Sequence, residues 1–383
     1  MVAKTYKVFV VNSGSTSTKV ALFEGRKKVF QTNVNHPVEE LAKCPTIQEQ
    51  IPLRIAAIEK VLVDENISLE GIDAVSALVG SLTLLEGGVY EINDQMLEDS
   101  FTTKYVKHPA ALGAMLAKKF QEEYGGKIFT VNPPDVDEMD DYEHVCGFHE
   151  FARYGGSHTL NMKECIIRYA ESVEKKVQDI NMIVCNLGGG VCVGAQRKGQ
   201  LCCVNNGIAG DGPMAPTRSG WLPADQLVKM CFSGNYSEKE IMGRITKTGG
   251  LTDHLGTADA REIVERIKGG DKYAELIYNA FIYQIAKAAG GCAAALKGDV
   301  DGIIITGGIA NDAYLVQRLT EYIQWIAPVT VMPGEYEMEG LASGAIRVLS
   351  GEEKAKIYTG KAVWHGFECA PAFDQSKDQT QYY

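Results

Sequence analysis

The residues best suited to do chemistry in this 383-residue chain occur in two similar settings. Asn12-Ser13-Gly14-Ser15-Thr16-Ser17-Thr18-Lys19 follows the apolar run Lys7 to Val11, and Asn186-Leu187-Gly188-Gly189-Gly190 follows Met182 to Cys185. Val20 to Phe23 leaves the first loop and Val191 to Val193 leaves the second. A short basic turn with a glycine then leads, in each case, to another apolar run (Gly25 to Lys28; Arg197 to Gly199). Such a repeat predicts two related strand–loop–strand units. Together they offer backbone N–H groups, the hydroxyls of Ser15 and Ser17 and the amine of Lys19, a donor set suited to a polyphosphate. Read blandly, the same residues make two tight hairpins whose glycines only supply positive φ.

A third element favours nucleotide binding. Gly302 to Ile305 reads as a strand, Thr306-Gly307-Gly308 as a turn and Asp312 to Ile323 as a helix, and a glycine-rich strand-to-helix turn lets phosphate approach a helix N-terminus. The common nucleotide signatures are absent. No second glycine precedes Lys19, and Val193 stands where a dinucleotide fingerprint needs its third glycine.

These loops must be positioned by a sizeable α/β framework. Strands alternate with helices, and the length calls for two domains. His108-Pro109 opens a helix with Pro at its first position, whose apolar stripe is Leu112, Met115, Leu116 and Phe120 and which ends at Gly125-Gly126. Ser237 and Glu240 form a capping box. Thr257 to Lys268 reads as a helix, and Lys272 to Leu296 as a longer buried one with Gly290-Gly291 as a close-packing or break point. The polar segment after Tyr358 is expected to be a frayed tail.

Composition narrows the partners. A net charge of -11 argues against nucleic acid and leaves any ATP binding to local donors and a metal ion. No apolar stretch approaches the ~18 residues of a membrane span, and no secretory pattern opens the chain, so a cytoplasmic protein with no membrane role is expected. A homo-oligomer is expected as well. The ten cysteines form no CxxC, and Cys185, Cys192, Cys202, Cys203 and Cys292 lie in apolar runs as small hydrophobes. Ser157 beside His158 lacks the GxSxG elbow of a hydrolase.

Several motifs in order resemble butyrate kinase, within the acetate kinase superfamily: Asn12 to Lys19, Gly188 to Gly190, Asp211 to Gly220, Leu255-Gly256-Thr257, Thr306 to Ala310, and Pro333-Gly334-Glu335 through Glu353. The resemblance implies a duplicated two-domain fold of the actin and sugar-kinase (ribonuclease H-like) type, with ATP in a cleft. It implies reversible phosphoryl transfer from ATP to a short fatty acid, with ADP and an acyl phosphate as products. The domains would be 1–131 with 341–383, where a C-terminal helix returns, and 132–340.

Residue by residue, Arg218 matches a family arginine suited to a carboxylate or a moving phosphoryl group. His158 matches a histidine that bonds phosphoryl oxygens, and His108 a second one near the substrate. Asn12, Ser15, Ser17, Lys19, Gly188, Gly189, Gly190, Thr306, Gly307 and Gly308 would hold nucleotide. Glu337 is the candidate for the Mg2+-linked glutamate, with Glu335 and Glu339 close in register, and Asn12 would support the same ion through water. The chain also departs from the family: Leu78 falls where a second arginine is expected, Asn132 replaces an aspartate in the catalytic and metal environment, and Asn186 replaces a histidine. Lys104 or Lys107 is a candidate to replace the missing arginine. A nucleotide-binding homologue with lost or altered kinase activity is the alternative these departures raise.

Overall fold

The computed structural model describes residues 4–105 and 107–367. The chain forms two compact units, one reaching Asp137 and resuming at Tyr336, the other Glu138–Glu335. Six residues after Val131 thus stay with the first unit. They do so because Asn132 N–H donates to Gly88 O while Gly88 N–H donates to the Asn132 side-chain Oδ1, and Asp137 N–H donates to Leu85 O. Glu335 closes the second unit, and the returning helix Glu337–Ser350 begins earlier than a boundary at 341 allows. The C-terminal tail lies from residue 368 onward outside the described residues.

In the first unit, β1 (Lys7–Ser13), β2 (Ser17–Glu24) and β3 (Lys27–Asn35) form an antiparallel meander. β4 (Ala74–Ala77) lies parallel to β1, and β6 (Lys127–Val131) parallel to β4, with β5 (Val89–Glu91) antiparallel beyond it. A last short strand, β12 (Lys356–Ile357), completes the order β12-β5-β6-β4-β1-β2-β3. In the second unit, β7 (Asn181–Leu187), β8 (Val191–Arg197) and β9 (Gln200–Val204) repeat the meander. β10 (Gly302–Gly307) lies parallel to β7 and β11 (Val329–Pro333) parallel to β10. The order β11-β10-β7-β8-β9 is therefore the β6-β4-β1-β2-β3 part of the first sheet over again.

Strand alternation assigns the two faces. Phe9 and Val11 of β1 join one core with Ile58 and Leu62 of helix Ile51–Asp64 and with Leu116 and Phe120 of helix Gly113–Tyr124. Phe9 meets Phe120 edge to face, ring centroids 5.1 Å apart. In the second unit, helix Lys272–Ala295 buries Ile277, Tyr278, Phe281, Ile282, Ile285 and Ala289 at helical spacing against β7 and β8.

Four local expectations change. β3 is a solvent-facing edge in which only Val34 is buried, so it is not an apolar strand. Gly290 and Gly291 neither break the long helix nor pack closely, since a Cβ on either would meet open space. Pro109 opens a 3-10 turn, Pro109–Leu112, before the α-helix starts at Gly113. The helix expected from Thr257 begins at Ala260, because the Asp259 side chain caps it by accepting from Arg261 N–H.

Candidate active site

The first unit contributes a polar loop at the carboxyl end of β1. Gly14 N–H donates to Ser17 O at 2.8 Å and closes the turn, leaving Ser15 and Thr16 exposed at its tip. Asn12 and Lys19 are cross-strand partners below it. Asn12 Nδ2 donates to Glu337 Oε2 at 2.7 Å, while Glu339 is paired with Lys28 at 3.0 Å and Glu335 is exposed in the other unit. Of the three glutamates, Glu337 is the one that meets Asn12.

Beneath this loop is a residue the sequence reading passed over. Arg54 is 0% exposed, and its guanidinium donates to Ser15 O, Ser17 O, Thr18 Oγ1 and Gln50 Oε1 at 3.0–3.3 Å. His36 is buried beside it, with Nε2 2.9 Å from Thr18 Oγ1 and its N–H on Thr16 O. Burial, and then the Arg54 charge, push the His36 pKa down to about 4, so its ring is neutral. The sequence did hold a signal: Arg54 falls on the i, i+4, i+8 stripe with Ile58 and Leu62, where an apolar residue belongs.

The other expected residues of this unit are placed by the fold as follows. His108 is exposed, and its Nδ1 accepts from Ala110 N–H at 3.1 Å, capping a turn that Ser13 Oγ ties to β1 through Pro109 O. Leu78 is half-buried just past β4, its N–H on Val11 O. Asn132 has φ 42° and its Oδ1 accepts from Gly88 N–H at 2.8 Å. That amide oxygen is committed to the turn, and Asn tolerates the left-handed region better than most residues. Lys104 lies 3.8 Å from Asp99 and over the Tyr105 ring, and Lys107 is exposed. Nearby Asp135 has a sealed Oδ2 without a partner, and burial raises its pKa to about 7 against hydrogen bonds from the Leu82 and Asp135 N–H groups.

The second unit contributes glycines in place of hydroxyls. Gly188 N–H donates to Gly190 O, and the carbonyl of Gly189 accepts from both Thr217 N–H (3.2 Å) and Thr217 Oγ1 (2.9 Å). Arg218 Nη1 donates to Thr217 Oγ1 at 2.6 Å, and its buried Nε has no protein partner. A Cβ on Gly190 would lie 3.4 Å from Arg218 Nε and Cζ and 3.2 Å from Gly207 O, so the guanidinium lies against this glycine. Burial lowers the Arg218 pKa from its ordinary value.

His158 immediately precedes helix Thr159–Ser172, and its Nδ1 lies 3.2 Å from Cys192 Sγ. Burial pushes that thiol up, but the His158 charge and hydrogen bond outweigh it and leave Cys192 below its ordinary pKa. Cys192 is thus more than the small hydrophobe its apolar neighbours suggested.

The third glycine element differs from its sequence pattern. β10 runs through Gly307, whose φ of 92° brings it against β7, where any Cβ would sit 2.3 Å from Leu187 O. A 3-10 turn, Gly308–Asn311, follows, and helix Ala313–Ile323 is capped by Asp312, which accepts from Tyr314 N–H and, at 2.6 Å, from Tyr278 OH. The helix N-terminus is therefore capped by the chain's own carboxylate. Thr306 Oγ1 is fully buried, within 3.3 Å of Gly334 O and of Cys165 Sγ. Asn186 accepts from Asn161 Nδ2 at 2.6 Å in the same interior network.

The sheet is a duplicated ribonuclease H-like one with a polar loop after β1 and a glycine loop after β7, and comparison with known proteins places it in a phosphotransferase class. The model of the acetokinase family matches residues 141–329. The chain is 43% identical to a probable butyrate kinase of Clostridium botulinum (strain Alaska E43 / Type E3) over 354 residues, 92% of this chain and 100% of that one. It is 42% identical to butyrate kinase 2 of Clostridium acetobutylicum, covering 92% and 99%. An acetate kinase crystal structure from Porphyromonas gingivalis shares the fold, with a TM-score of 0.75, 22% identity, and coverage of 90% and 100%. The chain belongs to the acetokinase family, alongside its butyrate kinases.

Proposed function

We propose that this protein is an ATP-dependent short-chain carboxylate kinase, similar to butyrate kinase, that moves a phosphoryl group reversibly between ATP and a fatty-acid carboxylate. The observation that carries this is full-length similarity to butyrate kinases together with both anion-ready loops. The lost-activity alternative is not favoured. Asn132 and Asn186 are both held in hydrogen bonds of the fold, and Asn132 remains a candidate catalytic position.

In this reading the Ser13–Lys19 loop, with Ser15, Ser17 and Lys19 as donors, and the Gly188–Gly190 loop are each candidate nucleotide-binding segments of their own unit. Thr306, Gly307 and Gly308 shape the end of β10 and do not bind through a side chain. Arg218 aims an already desolvated guanidinium at charge that grows during transfer, and His158 donates to a phosphoryl oxygen. His108 remains a candidate on the acceptor side. Glu337 and Asn12 would hold Mg2+. The donor set fits, because magnesium uses one or two carboxylates and takes its remaining oxygens from phosphate and water. When bound, the ion neutralises phosphate charge.

A cytoplasmic location remains part of this proposal; among the described residues no helix is long and apolar enough to cross a membrane. A homo-oligomer agrees with exposed apolar side chains on one excursion of the second unit: Trp221, Leu222, Val228, Phe232 and Met242.

The test is acyl phosphate formation from ATP and Mg2+ across straight-chain C2 to C6 acids. Turnover on at least one acid is expected. A folded protein inactive on all of them would sink the reading.

A further inference from the structure

Burying a guanidinium without an anion is unfavourable, and such groups normally sit against a carboxylate. Arg54 does not. Its five N–H donors all engage neutral acceptors: two backbone carbonyls, a threonine hydroxyl and, twice, the Gln50 amide. The neighbouring titratable group, His36, is held neutral. Burial lowers the Arg54 pKa with no carboxylate opposing it, yet a guanidinium keeps its proton. The first unit therefore stores a positive charge directly under the Ser13–Lys19 loop and leaves it unbalanced.

The contacts also fix the loop's orientation. In a trans peptide the C=O of one residue and the N–H of the next point in opposite directions. Holding Ser15 O on Arg54 turns the Thr16 N–H toward the exposed side of the loop. His36 N–H, on Thr16 O, pins the following peptide. An ordered donor surface with a buried cation behind it, bonded only to neutral groups, is suited to an anion.

We propose that Arg54 is the positioning residue of this loop and that the counter-ion of its buried charge is the nucleotide polyphosphate. The inference rests on the reading of the loop as a nucleotide site. It assigns the affinity of that site to a side chain that never touches the ligand.

Arg54→Met and Arg54→Lys in the full-length chain test it, with ADP and Mg2+ titrated by calorimetry and adenosine as a probe without phosphates. Arg54→Met should weaken ADP about tenfold or more, the scale of one charge-assisted contact. Arg54→Lys, which keeps the charge but not the fork, should fall between it and wild type. Adenosine affinity should stay unchanged in both, and KM for ATP should rise more than kcat falls. ADP affinity within twofold of wild type in folded Arg54→Met overturns the proposal, as does equal loss for ADP and adenosine. If Arg54→Met does not fold, wild-type ADP affinity in Arg54→Lys overturns it. A wild-type protein that binds no ADP overturns both this inference and the nucleotide reading, whereas binding that the variants leave intact overturns this inference alone.

Discussion

The loop after β1 and the loop after β7 occupy equivalent places in two copies of one sheet, but they are stabilised in opposite ways. The first carries hydroxyls and is held from behind by Arg54, a cation that faces only neutral groups. The second carries three glycines, and its cation, Arg218, lies against the loop with one N–H left without a protein partner. Duplication preserved the place of the loop in the sheet. It did not preserve how the loop is held. A side chain behind a loop can set ground-state affinity, whereas one with an unspent donor beside the loop is placed to bind charge that appears later.

The sharpest way to break this contrast is Arg218→Ala. It should lower kcat by about 100- to 1000-fold, the usual cost of one transition-state donor, with a much smaller change in ADP affinity by calorimetry. An equal loss in both would make Arg218 a ground-state residue like Arg54 and erase the difference between the loops.

Adding one methyl to each loop is the next test. Gly190→Ala forces a Cβ to 3.2 Å from Gly207 O and 3.4 Å from Arg218, whereas Gly14→Ala meets only Ser17, at 3.4 Å or more. The first should cost about tenfold or more in kcat, since a small displacement of an aligned group is expensive. The second should stay within about threefold. Steady-state kinetics with butyrate that ranked them the other way would show that the first loop is the tighter one.

Cys192 allows a finer comparison, because only the second loop has a thiol on a histidine. Cys192→Ala should reduce kcat several-fold and Cys192→Ser should restore most of it, as the hydroxyl also bonds Nδ1 and keeps the ring's tautomer. Identical kcat for wild type, Ala and Ser would leave Cys192 as packing only.

The smallest effect concerns stability in the first unit. With its folded pKa raised to about 7, Asp135 stabilises the fold fully below its ordinary value near 4, and that contribution is lost as pH rises through 7. Part of the residue reaches solvent while Oδ2 is sealed, so the loss should be about 1 to 2 kcal/mol. Asp135→Asn should flatten the fall in denaturant midpoint between pH 5 and 8. An unchanged slope would mean that Asp135 is hydrated and ionised throughout.

Periodicity and turn chemistry determined much of this molecule. The two strand–loop–strand repeats, the Ser237 capping box, the stripe through Leu112, Leu116 and Phe120, and the long helix from Lys272 were legible because each depends on residues a few positions apart. The ordered motifs also carried the family. Tertiary structure alone decided which glutamate meets Asn12, because Glu337 is 325 positions away in sequence, while Glu335 falls in the other unit and Glu339 pairs with Lys28. The same holds for the turn at Asn132, whose Oδ1 accepts from Gly88 N–H across 44 positions of sequence. Arg54 lies between these cases. Its place on an apolar helical stripe was visible, but its meaning depended on Ser15, Ser17 and Thr18 arriving from another strand, and charge complementarity between distant segments leaves no local pattern to read.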